Sequence, residues 1–249
     1  METRNKTYFA SDFHLGAVSH ADPLEVERKL TRWLNSISAD AKSIYLLGDI
    51  FDFWYELRLA VPKGFTRILG KLAELTDMGV DIHIFVGNHD VWMFDYLPAE
   101  IGATIHTGSL ITEIDGKKFF LAHGDGLGER SLGFRLVRWI FHNKVCQKLY
   151  SSLHPRWSFA LAKRLSRKSR ESGGVKPYRG EQNEYLISFA KNYLSEHPDI
   201  DYFVFGHRHI LLDMQLPSNS RLFMLGDWLT LFSYLVFDGK NISLEQFEG

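Results

Sequence analysis

Five short apolar runs in this chain each end in a tight polar turn. TYFASDFH, SIYLLGD, DIHIFVGNHD, KKFFLAHGD and DYFVFGHRH follow one another between Thr7 and His209. Runs rich in aromatic and β-branched residues, bounded by such turns, are read as buried strands. Helical patterns lie between the early runs, over Pro23 to Ile37 and over Phe65 to Met78, the second with Gly79 as a C-terminal stop. Strand, helix, strand, helix predicts an α/β fold with parallel strands. The later runs near 110–123 and 222–247 have shorter connections and predict a second, mixed or antiparallel sheet. Ligands bind beyond the carboxyl ends of strands in open α/β sheets, so the five turns are expected to converge.

The 249 residues, 45% of them hydrophobic, suffice for one large domain over 1–249 carrying an insertion over 130–172. The lone cysteine, Cys146, excludes an internal disulfide and fits a reducing, cytoplasmic compartment. The start, METRNKTYFASD, runs directly into a strand pattern, so no signal peptide is expected. The longest apolar run, near Leu229 to Phe237, is too short to span a bilayer.

The net charge of −1 conceals an asymmetry. Arg130 through Arg170 holds eleven basic residues and no acid, whereas the rest of the chain holds 18 basic and 30 acidic residues. The segment reads as two helices broken at His154-Pro155, a hairpin inserted between core strands. At about 100° per residue, Arg135, Arg138 and His142 share one stripe. Leu136, Val137, Trp139, Ile140 and Phe141 spread over most of the remainder. Gly173-Gly174 then marks a loop, and Glu181 to Glu196 a return helix. A greasy helix with a basic stripe suits an anionic membrane surface. A buried helix pair with solvated charges is the plainer reading. Nucleic acid is a poorer partner, because the acidic remainder repels phosphates.

The chemistry-bearing clusters are Asp12-Phe-His14, Gly48-Asp49, Gly87-Asn88-His89-Asp90, His123-Gly-Asp125 and Gly206-His207-Arg-His209. Two carboxylates, one amide and four imidazoles form a ligand set for two borderline ions such as Mn²⁺, Fe²⁺ or Zn²⁺. The absence of a thiolate argues against a structural zinc site. Two divalent ions outweigh two carboxylates, so the centre attracts an anionic phosphorus ester. The glycines at 48, 87, 124 and 206 allow sharp turns and close backbone approach.

In this order the clusters resemble the calcineurin-like metallophosphoesterase superfamily, from residue 12 to residue 209. The resemblance implies a four-layer α/β/β/α sandwich. It implies that Asp12, His14, Asp49 and His209 hold one ion, that Asp49 bridges, and that Asn88, His123 and His207 complete the second. His89 matches the position that contacts the scissile phosphate and acts as general acid, with Asp90 orienting it through a hydrogen bond. Asn88, His89 and His207 thereby also meet the substrate.

Within the superfamily, three places resemble the UDP-2,3-diacylglucosamine pyrophosphohydrolases of lipid A synthesis. They are LLGDIFDFW at 46–54, HGDGLGERSLGFRLVRW from His123, and LGDW at 225–228. This implies an acylated nucleotide-sugar substrate, two metal ions with Mn²⁺ foremost, and a cytoplasmic enzyme held peripherally at the membrane. The helical insertion becomes a lid for two acyl chains. RKSRES at 167–172 lies where that lid meets the sugar phosphate, with Ser169 and Arg170 as the candidate contacts. The better-known members carry Arg where this chain has His89, and a D-D pair where it has Gly128, Glu129, Arg130 and Ser131. Phe51, Phe53, Trp54 and Tyr55 are open to core packing or to lining a nucleotide or acyl groove. Two other readings are a metallophosphoesterase for soluble nucleotides or phosphoproteins, and a metal-bearing scaffold recruited through the hairpin. A complete ligand set with His89 present speaks against the scaffold.

Overall fold

The computed structural model of the chain describes residues 4–17, 22–57, 60–128, 132–154, 156–158, 160, 164, 177–178 and 180–249. Its strands are β1 Lys6–Ala10, β2 Ala41–Leu46, β3 Asp81–Phe85, β4 Thr104–His106, β5 Leu110–Ile114, β6 Lys117–Ala122, β7 Tyr202–Phe205, β8 Leu211–Gln215, β9 Arg221–Leu225, β10 Ser233–Phe237 and β11 Ile242–Gln246. Its helices are α1 Pro23–Ile37, α2 Thr66–Asp77, α3 Tyr96–Ile101, α4 Leu132–His142, α5 Lys144–Ser151 and α6 Tyr185–Glu196.

The expected parallel strands form the centre of a six-stranded sheet, ordered β11-β10-β1-β2-β3-β4. β1, β2, β3 and β4 pair in parallel, and β10 and β11 close the other side antiparallel. The second sheet is mixed and ordered β5-β6-β7-β9-β8, with a parallel centre and antiparallel edges. α1 covers the expected residues, and the exposed Asp22 caps it by accepting from the Leu24 N–H at 2.9 Å. α2 takes its cap from α1: Glu27 Oε1 accepts from the N–H groups of Arg67 and Ile68 at 2.8 and 3.2 Å.

Alternation along the central strands sorts the apolar side chains into three layers. Tyr8, Ala10, Ile44 and Leu46 pack with Trp33 and Leu34 of α1 and Leu72 of α2. Their alternate neighbours Phe9, Tyr45 and Phe85 meet Phe119, Leu121, Val204 and Phe223 of the second sheet. Phe120, Ala122, Phe203 and Phe205 face the other way, onto Leu186, Ile187 and Ala190 of α6. The result is the expected α/β/β/α layering. Phe9 links the two sheets, its ring stacked on Tyr45 at 5.3 Å and on Phe119 at 5.5 Å between centroids.

The hairpin differs from its sequence expectation. α4 stops at Asn143, whose side chain accepts from the N–H groups of Val145 and Cys146 at 2.9 and 3.2 Å and so starts α5. An additional break therefore falls at Asn143, and the chain also leaves the helix after Ser151 and is helical again at 156–158, on either side of the His154-Pro155 pair; Pro155 itself is outside the described residues. The basic stripe is divided as well. Arg135 is exposed, whereas Arg138 donates to the Asp125 carbonyl at 2.6 Å and to the Asp125 carboxylate. Leu132, Leu136, Trp139, Val145, Leu149 and Trp157 are 59–78% exposed, so the pair is not buried among the described residues. Ser169, Arg170, the rest of RKSRES and Gly173-Gly174 lie outside those residues. The return helix starts at Tyr185, after a single 3₁₀ turn over Glu181–Asn183. No described helix is long and apolar enough to cross a membrane.

Phe9→Ala removes the ring that joins the two sheets. It is expected to lower unfolding stability by about 3–5 kcal/mol, read from denaturant midpoints at unchanged slope. A loss below about 1 kcal/mol would show that the sheets do not depend on this contact.

Candidate metal centre

The loops beyond β1, β2, β3, β6 and β7 meet at one end of the sandwich, stitched by backbone bonds. The N–H groups of Asp12 and His14 donate to the carbonyls of Gly48 and Asp49 at 3.1 and 2.9 Å. The Gly206 N–H donates to the His123 carbonyl at 3.0 Å, and the Trp228 N–H to the Asp12 carbonyl at 3.1 Å. All five sequence clusters are thereby brought together.

Three groups of side chains have ligating atoms within 4.8 Å of one another: Asp12, His14 and His209; His14, Asp49 and His89; and Asp49, His123 and His207. Asp49 belongs to two of them. Its Oδ1 accepts from the His89 N–H at 2.8 Å. Its Oδ2 lies 3.7 Å from His14 Nε2 and 3.4 Å from His123 Nε2. Asn88 joins through its Oδ1, 3.2 Å from His123 Nε2. On the other side, His209 Nε2 lies 3.4 Å from Asp12 Oδ1 and 3.3 Å from His14 Nε2.

The neighbours fix which atom each of these side chains turns toward the cluster. His123 Nδ1 donates to the Leu47 carbonyl at 2.8 Å, so in the neutral ring Nε2 carries the lone pair. Asp12 Oδ2 accepts from the His207 N–H at 2.9 Å, leaving Oδ1 toward the imidazoles. That Oδ1 is fully buried and has no hydrogen-bond donor. A buried carboxylate oxygen without a donor, facing two imidazole nitrogens, fits a cation and little else.

The backbone is bent to this purpose. Asp12, His14, Asp49, His207 and His209 all have positive φ, between 44° and 66°. A left-handed non-glycine residue costs about 1–3 kcal/mol. Gly87 is required for closeness: a Cβ there would lie 2.2 Å from Asp49 Oδ1 and 2.4 Å from Asp49 N.

Burial alone would push the Asp12 and Asp49 carboxyls up, but the surrounding imidazoles outweigh it. His209 holds Asp12 low, and His123 and His89 hold Asp49 well below the usual carboxylate range. Burial would push His123 down, yet Asp49 beside it keeps it well above the usual imidazole value. Burial and the nearby His123 push His207 down to about 4, so it is neutral at pH 7.

Asp90 has a different place from the one expected. Its Oδ2 accepts from the N–H groups of Ile50 and Phe51 at 2.7 and 3.2 Å, and its Oδ1 from the Gly87 N–H at 2.8 Å. It ties the loop after β2 to the loop after β3 and does not orient the His89 ring. That ring is held by the Asp52 carbonyl, which accepts from Nδ1 at 3.2 Å, and stands perpendicular to His14 at 4.8 Å.

Asp227, in the quoted LGDW, had no assigned role. Its Oδ2 lies 3.4 Å from His209 Nδ1, and its Oδ1 accepts from the N–H groups of Leu229, Thr230 and Leu231. Against burial, His209 and the Thr230 and Leu231 donors bring its carboxyl down to about 2. The signal was present, since an apolar run ending in Gly-Asp repeats the pattern of Gly48-Asp49. Arg208, between His207 and His209, grips the buried Glu184 carboxylate with two bonds of 2.9 and 2.8 Å and sets the loop beyond β7.

Residues 6–211 match the calcineurin-like phosphoesterase family. The chain belongs to that family and is a metal-dependent hydrolase. A Porphyromonas gingivalis protein named UDP-2,3-diacylglucosamine hydrolase is 47% identical over 259 aligned positions, covering 98% of each chain. A Neisseria meningitidis protein of the same name is 33% identical over 171 positions, covering 68% of this chain and 69% of its own. Among solved structures, the Escherichia coli phosphoesterase Yfce aligns with a TM-score of 0.48 and 16% identity, over 98% of this chain and 93% of that one.

Because Asp49 keeps His123 protonated, a cation must displace that proton. Metal loading is therefore expected to release protons near neutral pH and to weaken as the pH falls. Calorimetric titration with Mn²⁺ in two buffers of different ionisation enthalpy measures this. Identical heats in the two buffers would contradict it.

Proposed function

We propose that the chain hydrolyses the pyrophosphate of UDP-2,3-diacylglucosamine to UMP and 2,3-diacylglucosamine 1-phosphate, with two divalent ions, Mn²⁺ foremost. The supporting observation is the Asp49-centred cluster in a chain 47% identical, end to end, to a protein named for that substrate. Asp12, His14, Asp49 and His209 would hold one ion, and Asp49, Asn88, His123 and His207 the other. Bound there, the ions supply Lewis acidity toward phosphoryl oxygens and activate water.

The chain's own residues do the rest. Oxygen from water adds to phosphorus, the bridging P–O bond breaks, and the leaving group departs as a phosphate. Such a leaving group needs little protonation, so His89 serves mainly through charge on the phosphoryl oxygens. Its proton sits on Nδ1, facing the Asp52 carbonyl, and a second proton would go to Nε2. Arg at this position, as in better-known members of the group, would serve equally by charge.

The hairpin, 130–172, serves as the lid. It is fastened to the centre through Arg138 on Asp125 and through the Trp92 indole N–H, which donates to the Phe141 carbonyl at 2.8 Å. Its exposed Leu132, Leu136, Trp139, Val145 and Leu149 suit acyl chains and a bilayer surface, and exposed Arg135, Lys144 and Lys148 suit anionic headgroups. The protein would thus sit peripherally on the cytoplasmic face of the membrane. Ser169 and Arg170 remain the candidate sugar-phosphate contacts.

The test is metal-stimulated release of UMP from the diacylated substrate, set against hydrolysis of a nitrophenyl phosphodiester. Turnover of the diester without UMP release would sink the substrate assignment. His89→Gln is expected to slow the pyrophosphate reaction by about 10²–10³-fold, the scale for one electrostatic donor. The loss should be larger on an ester with an alkoxide leaving group; equal losses would show that His89 donates no proton.

Arg135, Lys144 and Lys148 replaced together by Gln should weaken co-sedimentation with anionic vesicles, each cation being worth about 1 kcal/mol at such a surface. Arg138 is left intact, because it holds Asp125. Unaltered vesicle binding would remove the basic residues from the docking surface.

A further inference from the structure

Asp227 is 1% exposed and stands in the turn between β9 and β10. Backbone bonds fix it from both sides. The Gly226 N–H donates to the carbonyl of Ile210, next to His209, at 3.1 Å, and the Trp228 N–H donates to the Asp12 carbonyl, also at 3.1 Å. Gly226 has φ 76°, and a Cβ there would lie 2.3 Å from Ser233 Oγ, whose hydroxyl donates to the Leu225 carbonyl at 2.6 Å. The Trp228 ring is fully buried against Phe13 and Trp33, 5.3 and 4.9 Å away between centroids. The turn is thus pinned between the loops that carry His209 and Asp12.

The two oxygens of Asp227 have different surroundings. Oδ1 accepts from the N–H groups of Leu229, Thr230 and Leu231 at 3.0, 2.7 and 3.1 Å and from the Thr230 hydroxyl at 3.1 Å. That is a turn cap, and Asn or Ser at 227 would supply it as well. Oδ2 has a long approach of 3.4 Å from the same hydroxyl and faces His209 Nδ1, also at 3.4 Å. This Nδ1 is buried and takes part in no hydrogen bond among the described residues. The separation is beyond a well-formed N–H···O bond. A proton on Nδ1 therefore has a carboxylate oxygen before it, whereas a lone pair there would confront that oxygen's charge. The opposite nitrogen, Nε2, lies 3.4 Å from Asp12 Oδ1 and 3.3 Å from His14 Nε2. His123 differs, since its Nδ1 is held by an uncharged carbonyl, that of Leu47.

We infer that Asp227 is a positioning residue for His209. It keeps the proton of the neutral ring on Nδ1 and the lone pair on Nε2, directed at the ion shared with Asp12, His14 and Asp49. The inference rests on the two-ion reading above and deepens it, because it makes one of the two sites depend on a carboxylate outside the proposed ligand set. With the proton on Nε2 instead, the ring could not hold a cation through that nitrogen. A turn cap alone accounts for Oδ1 and leaves the placing of Oδ2 unexplained.

The test is calorimetric titration of Mn²⁺ into the parent, Asp227→Asn, His209→Ala and the double variant. In Asp227→Asn the three turn N–H groups hold the amide oxygen, which sets the amide N–H against Nδ1 and drives the His209 proton to Nε2. The parent is expected to bind two ions, and Asp227→Asn to bind one of them about 10–100-fold more weakly while the other is retained. In the His209→Ala background the same change should cause no further loss, because it acts through the imidazole. Undiminished affinity for both ions, equal weakening of both, or an equal loss with and without the imidazole overturns the inference and leaves Asp227 as a turn cap. Nitrogen-15 spectra of the imidazoles in the Zn²⁺-loaded parent read the tautomer without any variant. The His209 proton is expected on Nδ1, and a proton on Nε2 overturns the inference. A parent that binds no Mn²⁺ overturns both this inference and the two-ion reading. A parent that shows these effects but releases no UMP from the diacylated substrate fails the substrate reading alone.

Discussion

Asp49 is 2% exposed, and its charge lies at the junction of both sheets. A buried carboxylate is costly unless its surroundings favour the charge. Here the surroundings are the His89 N–H on one oxygen and the imidazoles of His14 and His123 on the other. Those three groups come from three loops, so the loops must end in register for the charge to be tolerated. The parallel strands supply that register, and the inter-sheet aromatic layer holds the two sheets at the needed separation. The catalytic end is thus a place where packing brings together charges that would otherwise not share a volume, with divalent ions as their natural complement.

The same end is joined to the hairpin by few but specific bonds. Arg138 reaches back thirteen residues to Asp125, in the motif that also supplies His123, and Trp92 lies shortly after His89 and Asp90. A displacement of α4 is therefore felt by two of the five loops. Arg138 also shows why charge counting overstated the basic stripe. Eleven cations without a local acid resemble a free electrostatic surface, but one of them is neutralised by an acid just before the segment.

Much of this was legible in the sequence, for identifiable reasons. Strands buried on both faces leave continuous apolar runs, and a turn with ligands after each run marks its carboxyl end. The five clusters therefore pointed to one site. The pattern could not separate neighbouring polar residues by direction. Asp90 follows His89 but turns to the backbone of Ile50, Phe51 and Gly87, where three N–H donors from two loops converge on its carboxylate. Asp227 was hidden differently: the strand and Gly-Asp signal was plain, yet its role depends on where β9 lies beside β7, a long-range fact. The hairpin has a further break that depends on a side-chain cap at Asn143, a local signal weaker to the eye than His154-Pro155.

Asp12, His14, Asp49, His207 and His209, all at positive φ, give the site a further meaning. These conformations oppose folding, and the bonds that Asp12 and Asp49 accept from the His207 and His89 N–H groups offset part of that cost. The tension in the backbone is in this sense the toll of crowding Asp and His side chains from separate loops into one volume.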